Sequence, residues 1–341
     1  MTDALMDTPH RDRPRKKSRK GLIAILIALV LFIGAIVFIA WSLFGRLSDI
    51  ETIDNAFPDE SLRPAAVEPP DGEDAPLNIL LLGSDTRADT STSLLSDLGS
   101  RADTIMVAHI PSDRESVQIM SIMRDSWVEI PGHGNAKVNA AMAYGGVPLM
   151  VQTVEGLIDQ RIDHVAVADF NGFKNITDAL GGVTVNNPRA FTASSPVNIP
   201  FEAGEITLNG DEALAFVRER KSFSDGDYTR VANQQLFLQS VAGQVLSRET
   251  LTNPGKLSDL IGATTPYVAL DHELGLTKMI QLGSSMSSTR ASDISSFTLP
   301  TNGTGREGGG QSVVYVDWDE LENVRTRFAE DDLVGYEPAA Y

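Results

Sequence analysis

The sequence predicts an α/β protein: a single mixed α/β/α sandwich domain with a central sheet, preceded by one N-terminal transmembrane helix. Three observations carry that reading. Residues 77–83, 104–110 and 116–123 (LNILLLG, TIMVAHI, SVQIMSIM) are apolar runs of strand length broken by turn residues. The segments after them carry helical periodicity with glycine stops, and strands alternating with helices fold as a sheet covered by helices. Residues 21–44 (GLIAILIALVLFIGAIVFIAWSLF) are uncharged over more than the roughly 20 apolar residues that cross a bilayer.

Residues 1–20 form a basic tail holding Arg11, Arg13, Arg15, Lys16, Lys17, Arg19 and Lys20. With acidic sequence beyond the apolar stretch, the positive-inside rule puts this tail in the cytoplasm and the rest of the chain outside. A cleaved signal peptide has a shorter apolar core of about 7–15 residues, so residues 21–44 are expected to stay as a single-pass anchor in the cell membrane. Residues 45–76, with AAVEPPDGEDAP, read as an acidic, proline-rich extracytoplasmic spacer. Residues 77–341 then make one domain of about 250 residues, a size that α/β folds reach as single units.

Within that domain, Pro111-Ser112-Asp113 separates two strand-like runs and predicts a hairpin. Helical patterns cover 139–144, 148–159 and 171–180, the last stopped by Gly181-Gly182 ahead of a strand at 183–185. A helix begins near Asp227, another covers 274–284, a strand covers 313–316, and a helix at 319–328 closes the domain.

The formal net charge of −18 lies in the exported part, because the tail is basic. That charge and that location argue against a nucleic-acid partner, which needs a positive footprint. Cysteine is absent, so disulfides, thiolate catalysis and cysteine metal sites are all excluded. The five histidines show no ligand spacing, which gives a zinc site or a serine–histidine pair little support.

Against this acidic background, Arg218, Arg220, Asp227, Arg230 and Gln234 crowd into VRERKSFSDGDYTRVANQQ. Arginine forks hold phosphate oxygens in pairs, so a cluster of them suits a pyrophosphate. If residues 213–217 are extended, Arg218 and Arg220 share a face. Asp227, Arg230 and Gln234 fall at i, i+3 and i+7, one stripe of a helix. The plain alternative is a helix cap at Asp227, its ion pair with Arg230, and two solvated arginines.

Asp85 follows the first strand and Asp103 precedes the second, so neighbouring strand ends would bring two carboxylates together. Such a pair is costly unless a cation joins it, and magnesium commonly takes one or two carboxylates plus phosphate oxygens. Separate turn and cap roles are the ordinary alternative. Arg124-Asp125 after the third strand, and Lys137 and Asn139 before a helix, occupy usual places for anion binding.

In order along the chain, NILLLGSDTR, RADTIMVAHI, SIMRDSWVEI, KVNAAMAYGG, ITDALGGVTV and LNGDEALAFVRERKSFSDGDYTRVANQQ resemble the motifs of the LytR-CpsA-Psr family over about residues 77–246. The resemblance implies that 77–341 is the catalytic domain of a phosphotransferase. Such enzymes attach polyprenyl-pyrophosphate-linked glycopolymers of teichoic acid, capsule or arabinogalactan type to peptidoglycan by a phosphodiester. It implies that Asp85 and Asp103 hold Mg2+, with Mn2+ as the alternative, and that Arg124, Arg218 and Arg220 clasp the pyrophosphate. Arg87, Arg101, Lys137, Asn139, Asp227, Arg230 and Gln234 would complete the site, with Asp125 or Asp227 accepting the attacking hydroxyl's proton. Asn233 and Met123 depart from the family's frequent arginine and proline.

Leu149, Met150, Val154, Leu157, Ile158, Phe170 and Phe173 are the candidates to line an apolar cavity for the lipid tail, with core packing the commoner role of each taken singly. Other envelope-synthesis proteins are candidate partners. Two other functions stand beside transfer: a polyprenyl-pyrophosphate pyrophosphatase using water as acceptor, and a non-catalytic envelope regulator or scaffold.

Overall fold

The computed structural model describes residues 50–67, 69, 74–84, 102–194, 198–224 and 226–336. The expected basic tail and transmembrane stretch lie outside the described residues. Among the described residues no helix is long and apolar enough to cross a membrane.

The centre is a seven-stranded mixed sheet in the order β1-β12-β7-β2-β3-β4-β13. Its middle strands are β2 (Leu77–Ser84), β3 (Thr104–Ile110), β4 (Val117–Ile122) and β7 (His164–Asp169). β1 (Glu51–Ile53), β12 (Val268–Asp271) and β13 (Ile294–Thr298) complete it. The hairpin expected at residues 111–113 is present, since β3 and β4 pair antiparallel.

Both faces of the sheet are apolar, and strand alternation sends each side chain to a definite face. Leu80, Leu82, Ile105, Val107, Met120 and Ile122 enter one core. It is covered by α1 (Ala140–Ile158) and α8 (Trp318–Ala329) through residues such as Val154, Ile158 and Val324. Leu77, Ile79, Met106, Ala108 and Ile119 enter the opposite core, where Leu238 and Ala242 of α4 (Asp227–Val245) and Leu282 of α7 (Leu276–Ser285) pack. The sandwich expected from the alternating pattern is therefore the observed fold.

A third apolar cluster gathers α2 (Phe170–Ala179), α3 (Gly210–Arg218) and the small pairs β8 (Val183–Asn187) with β11 (Gly204–Leu208), and β9 (Phe191–Ala193) with β10 (Ile199–Phe201). A second sheet runs β14-β15-β5-β6. It is built from β5 (Ser126–Ile130), β6 (Gly134–Lys137), β14 (Thr301–Glu307) and β15 (Gln311–Val316). The short helices α5 (Arg248–Leu251) and α6 (Pro254–Thr264) complete the list of helices among the described residues.

Two expectations need correction, and one open choice is decided. Residues 51–63, expected within a spacer, belong to the fold: β1 pairs with β12, and Ile53 and Ala56 are buried in the first core. Arg63 locks that segment down by donating to Glu155 at 2.7 and 3.0 Å. Residues 213–217, expected as extended, form the body of α3, because the capping box of Asn209 with Glu212 nucleates a helix there. The apolar candidates for a lipid cavity take the commoner of their two roles and pack in the core. Met150, Val154, Leu157 and Ile158 are buried under the sheet with Leu149 packed on them, and Phe173 meets Phe237 in a tilted pair with ring centroids 4.6 Å apart. Phe170's side chain lies outside the described residues.

Candidate active site

The antiparallel register of β3 and β4 sets Ile105 opposite Ile122, so the start of one strand meets the end of the other. Asp103, held by its N–H to the Gly83 carbonyl at 2.9 Å, thereby meets Arg124, whose guanidinium donates to its carboxylate. The next residue, Asp125, lies 3.8 Å from Arg124 and 2.8 Å from Lys137 Nζ. Lys137 arrives there because β6 runs antiparallel to β5, with Trp127 and Lys137 as register partners.

The arginine-rich segment enters from the other side. Arg218 ends α3, exposed; Glu219 then turns extended, and Arg220 emerges at the rim with half its side chain exposed. Asp227 opens α4 and is shared by Arg220 at 3.8 Å and Arg230 at 3.3 Å. The expected i, i+3 stripe of α4 is thus present, and Arg230 is its deepest member.

Burial disfavours the Arg124 charge, but the hydrogen bond it donates to Asp103 and the charges of Asp103, Asp125 and Asp227 outweigh it and raise its pKa. Burial also disfavours the Arg230 charge, and there the positive charges of Arg124 and Arg220 add to it, so its pKa falls despite Asp227 and Asp103. Arg124 is thus the arginine that the carboxylates hold, and Arg230 the one that burial strains. The Nε–H donors of Arg124 and Arg230 are buried without an acceptor among the described residues. An unsatisfied buried donor costs about 1–3 kcal/mol, which an anion's oxygens would offset.

A cavity of about 700 Å3 opens on this cluster. Arg124, Asp125, Lys137, Asn139 and Arg220 line it; Asp103, Asp227 and Arg230 stand directly behind them through the contacts given above. Asp85, Arg87 and Arg101 lie outside the described residues. Gln234 donates to the Val217 carbonyl at 3.4 Å, so its amide meets the end of α3 and steadies the arginine segment. Among the described residues no group of three histidine, aspartate or glutamate side chains stands ready to hold a metal.

Sequence reasoning missed two sets of residues. Glu219 is buried and accepts the backbone N–H groups of Ser194 at 2.6 Å and Ser222 at 2.9 Å. Burial pushes its pKa up, yet these bonds, the Ser194 hydroxyl and the Lys221 N–H together bring it below the ordinary glutamate value. It clamps the Arg218–Arg220 segment; its place between two arginines was the available signal. Trp127, Asn135, Tyr144, Gly308 and Gln311 also line the cavity. Trp127, two residues from Asp125 at the head of an alternating strand, carried a signal, whereas Gln311 comes from a sheet that only the tertiary fold assembles.

The LytR_cpsA_psr family model matches residues 50–330. The chain belongs to the LytR_cpsA_psr family. The match starts where β1 does, in agreement with the correction to the spacer. The polyisoprenyl-teichoic acid–peptidoglycan teichoic acid transferase TagU of Oceanobacillus iheyensis is 34% identical over 259 residues, 73% of this chain and 78% of that one. The cell wall biosynthesis protein LcpA of Corynebacterium glutamicum is 32% identical over 307 residues, 78% of this chain and 57% of that one. TagU of Halalkalibacterium halodurans is 39% identical over 189 residues, and the match spans 55% of this chain and 59% of that relative. The crystal structure of B. subtilis TagV superposes with a TM-score of 0.64 at 27% identity, covering 77% of this chain and 99% of that one.

Proposed function

We propose that this family member is a phosphotransferase that joins a polyprenyl-pyrophosphate-linked glycopolymer, of teichoic acid, capsule or arabinogalactan type, to peptidoglycan through a phosphodiester. The observation that carries the reading is the pair of buried Nε–H donors of Arg124 and Arg230, without an acceptor among the described residues, within one cluster of arginines, lysine and carboxylates beside a cavity of about 700 Å3. That volume lies in the usual range for small-molecule sites. The names borne by the TagU relatives, teichoic acid transferases, support the same chemistry.

In the reaction, a peptidoglycan hydroxyl oxygen bonds to the sugar-proximal phosphorus. The bond from that phosphorus to the bridging oxygen breaks, polyprenyl monophosphate leaves with the electron pair, and the hydroxyl proton passes to a carboxylate. Arg124, Arg220 and Arg230, with Arg218 at the rim, would stabilise the charge that builds on the phosphoryl and bridging oxygens, where phosphoryl transfer gains most of its rate. Lys137, paired with Asp125, would orient the head group. Asp103 would hold magnesium together with Asp85, a donor set of hard oxygens that suits this ion once substrate phosphates complete it. When bound, the ion would neutralise developing phosphate charge. Residues 21–44 would anchor the chain in the cell membrane with this domain outside.

The test uses the full chain in detergent with a short polyprenyl pyrophosphate bearing a disaccharide, magnesium and a peptidoglycan fragment. Metal-dependent release of polyprenyl phosphate, lost in Asp103→Ala and Arg218→Ala, supports the proposal. Turnover retained in both variants would remove it.

A further inference from the structure

The half of the cavity away from the arginines is built unlike an anion site. β5 buries Ser126, Val128 and Ile130, which turns Trp127 to the other face, toward the cavity. Register partners share a face in a sheet. Lys137 lies opposite Trp127, and Asn135 lies two residues from Lys137 on the same side. Asn139, just before α1, makes no side-chain cap hydrogen bond, and it lines the cavity with Asn135 and with Gln311, whose Nε2–H donates to the Gly308 carbonyl at 3.4 Å.

Tyr144 forms the outer wall. Its ring is about half exposed, and His133 stacks beneath it at 4.6 Å with planes 21° apart. A hydrophobic ring held in the open by a second ring is a preformed contact surface. The hairpin tip at Gly308, Gly309 and Gly310 has φ of 47°, 87° and 94°, which favours glycine. A Cβ at Gly308 would lie 3.8 Å from the Trp127 ring, so the bare tip brings backbone up to the indole.

Aromatic faces with amide side chains between them suit a ligand with apolar ring faces and a rim of hydroxyl and acetamido groups. Amides offer both donors and acceptors to such a rim, and aromatic rings cover its C–H faces. A polyprenyl chain offers no partner for three amides, and a pyrophosphate none for two aromatic rings. We propose that Trp127, Tyr144, Asn135, Asn139 and Gln311 form the subsite for the acceptor, a pyranose ring of N-acetylated glycan. The acceptor is favoured over the donor's own sugar because Trp127 and Asp125 are two residues apart on the same wall. A ring seated on Trp127 presents its hydroxyl to Asp125, which takes the proton in the transfer written above. This inference rests on the phosphotransferase reading.

The experiment compares wild type, Trp127→Ala, Trp127→Phe and Tyr144→Ala as full chains. Transfer to a soluble peptidoglycan fragment is measured alongside cleavage of the same lipid donor by water. The expected result is an acceptor KM raised at least tenfold in Trp127→Ala and Tyr144→Ala, with transfer falling tenfold more than water cleavage and Trp127→Phe restoring most of the loss. Equal loss of transfer and water cleavage would assign these rings to the donor sugar or to folding and overturn the proposal, as would an unchanged acceptor KM. Calorimetric titration with a β-1,4-linked N-acetylglucosamine oligomer, without donor, supplies the second readout. Binding by wild type that weakens tenfold in Trp127→Ala supports the subsite even if no donor is cleaved, a result that would sink only the transfer reading. No binding by wild type would overturn the subsite while leaving phosphoryl transfer standing.

Discussion

At the scale of single residues, the site is a set of arginines whose costs are met by neighbours. Arg230 is mostly buried, carries a donor without an acceptor among the described residues and is pressed by two other arginines, so its charge is held at a loss until an anion binds. Arg230→Ala is expected to lower turnover by about 10²–10³-fold, the range for removing one preorganised donor from a transition state. Its melting temperature should stay near wild type, because a strained charge is removed; steady-state kinetics and a thermal melt check both. Glu219 behaves oppositely. Its pKa is depressed in the fold, so its stabilisation is complete above about pH 4.3 and drains away as pH falls through the depressed value. Glu219→Ala should cost about 2–3 kcal/mol by leaving the Ser194 and Ser222 N–H groups unpaired, and Glu219→Gln should flatten the acid side of the stability curve in denaturant titrations from pH 3 to 6.

At the scale of elements, α1 shows how a helix break serves a site. The sequence pattern reads as two helical segments, 139–144 and 148–159, and the structure joins them across non-helical Gly145 and Gly146. A Cβ at Gly145 would lie 2.6 Å from Leu149 Cβ, and Gly146 has φ of 64°, so the break needs both glycines. It turns the first segment, with Asn139 and Tyr144, toward the cavity while the second packs under the sheet. Gly145→Ala is expected to destabilise by about 1–3 kcal/mol and to disturb Tyr144, read as a lower melting temperature with a raised acceptor KM. An unchanged melt would show that the bend relaxes freely. The stop at Gly181-Gly182 and the α4 stripe were legible because local chemistry sets them. The α3 helix was not, since a short apolar run fits either period and the Asn209–Glu212 capping box decided it.

At the scale of the whole molecule, the fold reaches further toward the amino terminus than composition suggests. Arg63 and Glu155 are both nearly fully buried, with side-chain exposures of 5% and 1%. Removing one partner of such a pair leaves an unpaired buried charge, so Arg63→Ala should cost about 3–5 kcal/mol. Deleting residues 1–49 should leave the domain's cooperative unfolding intact, whereas deleting 1–63 should lower its midpoint sharply. Equal midpoints for the two deletions would show that β1 adds nothing. At the other end, the Asp331 carboxylate after α8 accepts from Ser112 and pairs with buried His109. The closing helix is thereby tied to the strand that carries Asp103 at its start.

By itself, the sequence determined the three central strands and several helices with the stop at Gly181-Gly182, and its resemblance to the family named Arg124, Asp125, Lys137, Arg220, Asp227 and Arg230 as candidates for one site. The elements follow from periodicity and capping, which are local signals, and the site candidates from the ordered motifs that carry the resemblance. Tertiary structure decided the rest. Whether an apolar residue such as Ile158 lines a cavity or fills a core depends on what packs against it, and the sheet won. Whether Trp127 and Gln311 meet depends on β5 pairing with β15 across nearly 190 residues of chain, roughly the separation that local patterns cannot report.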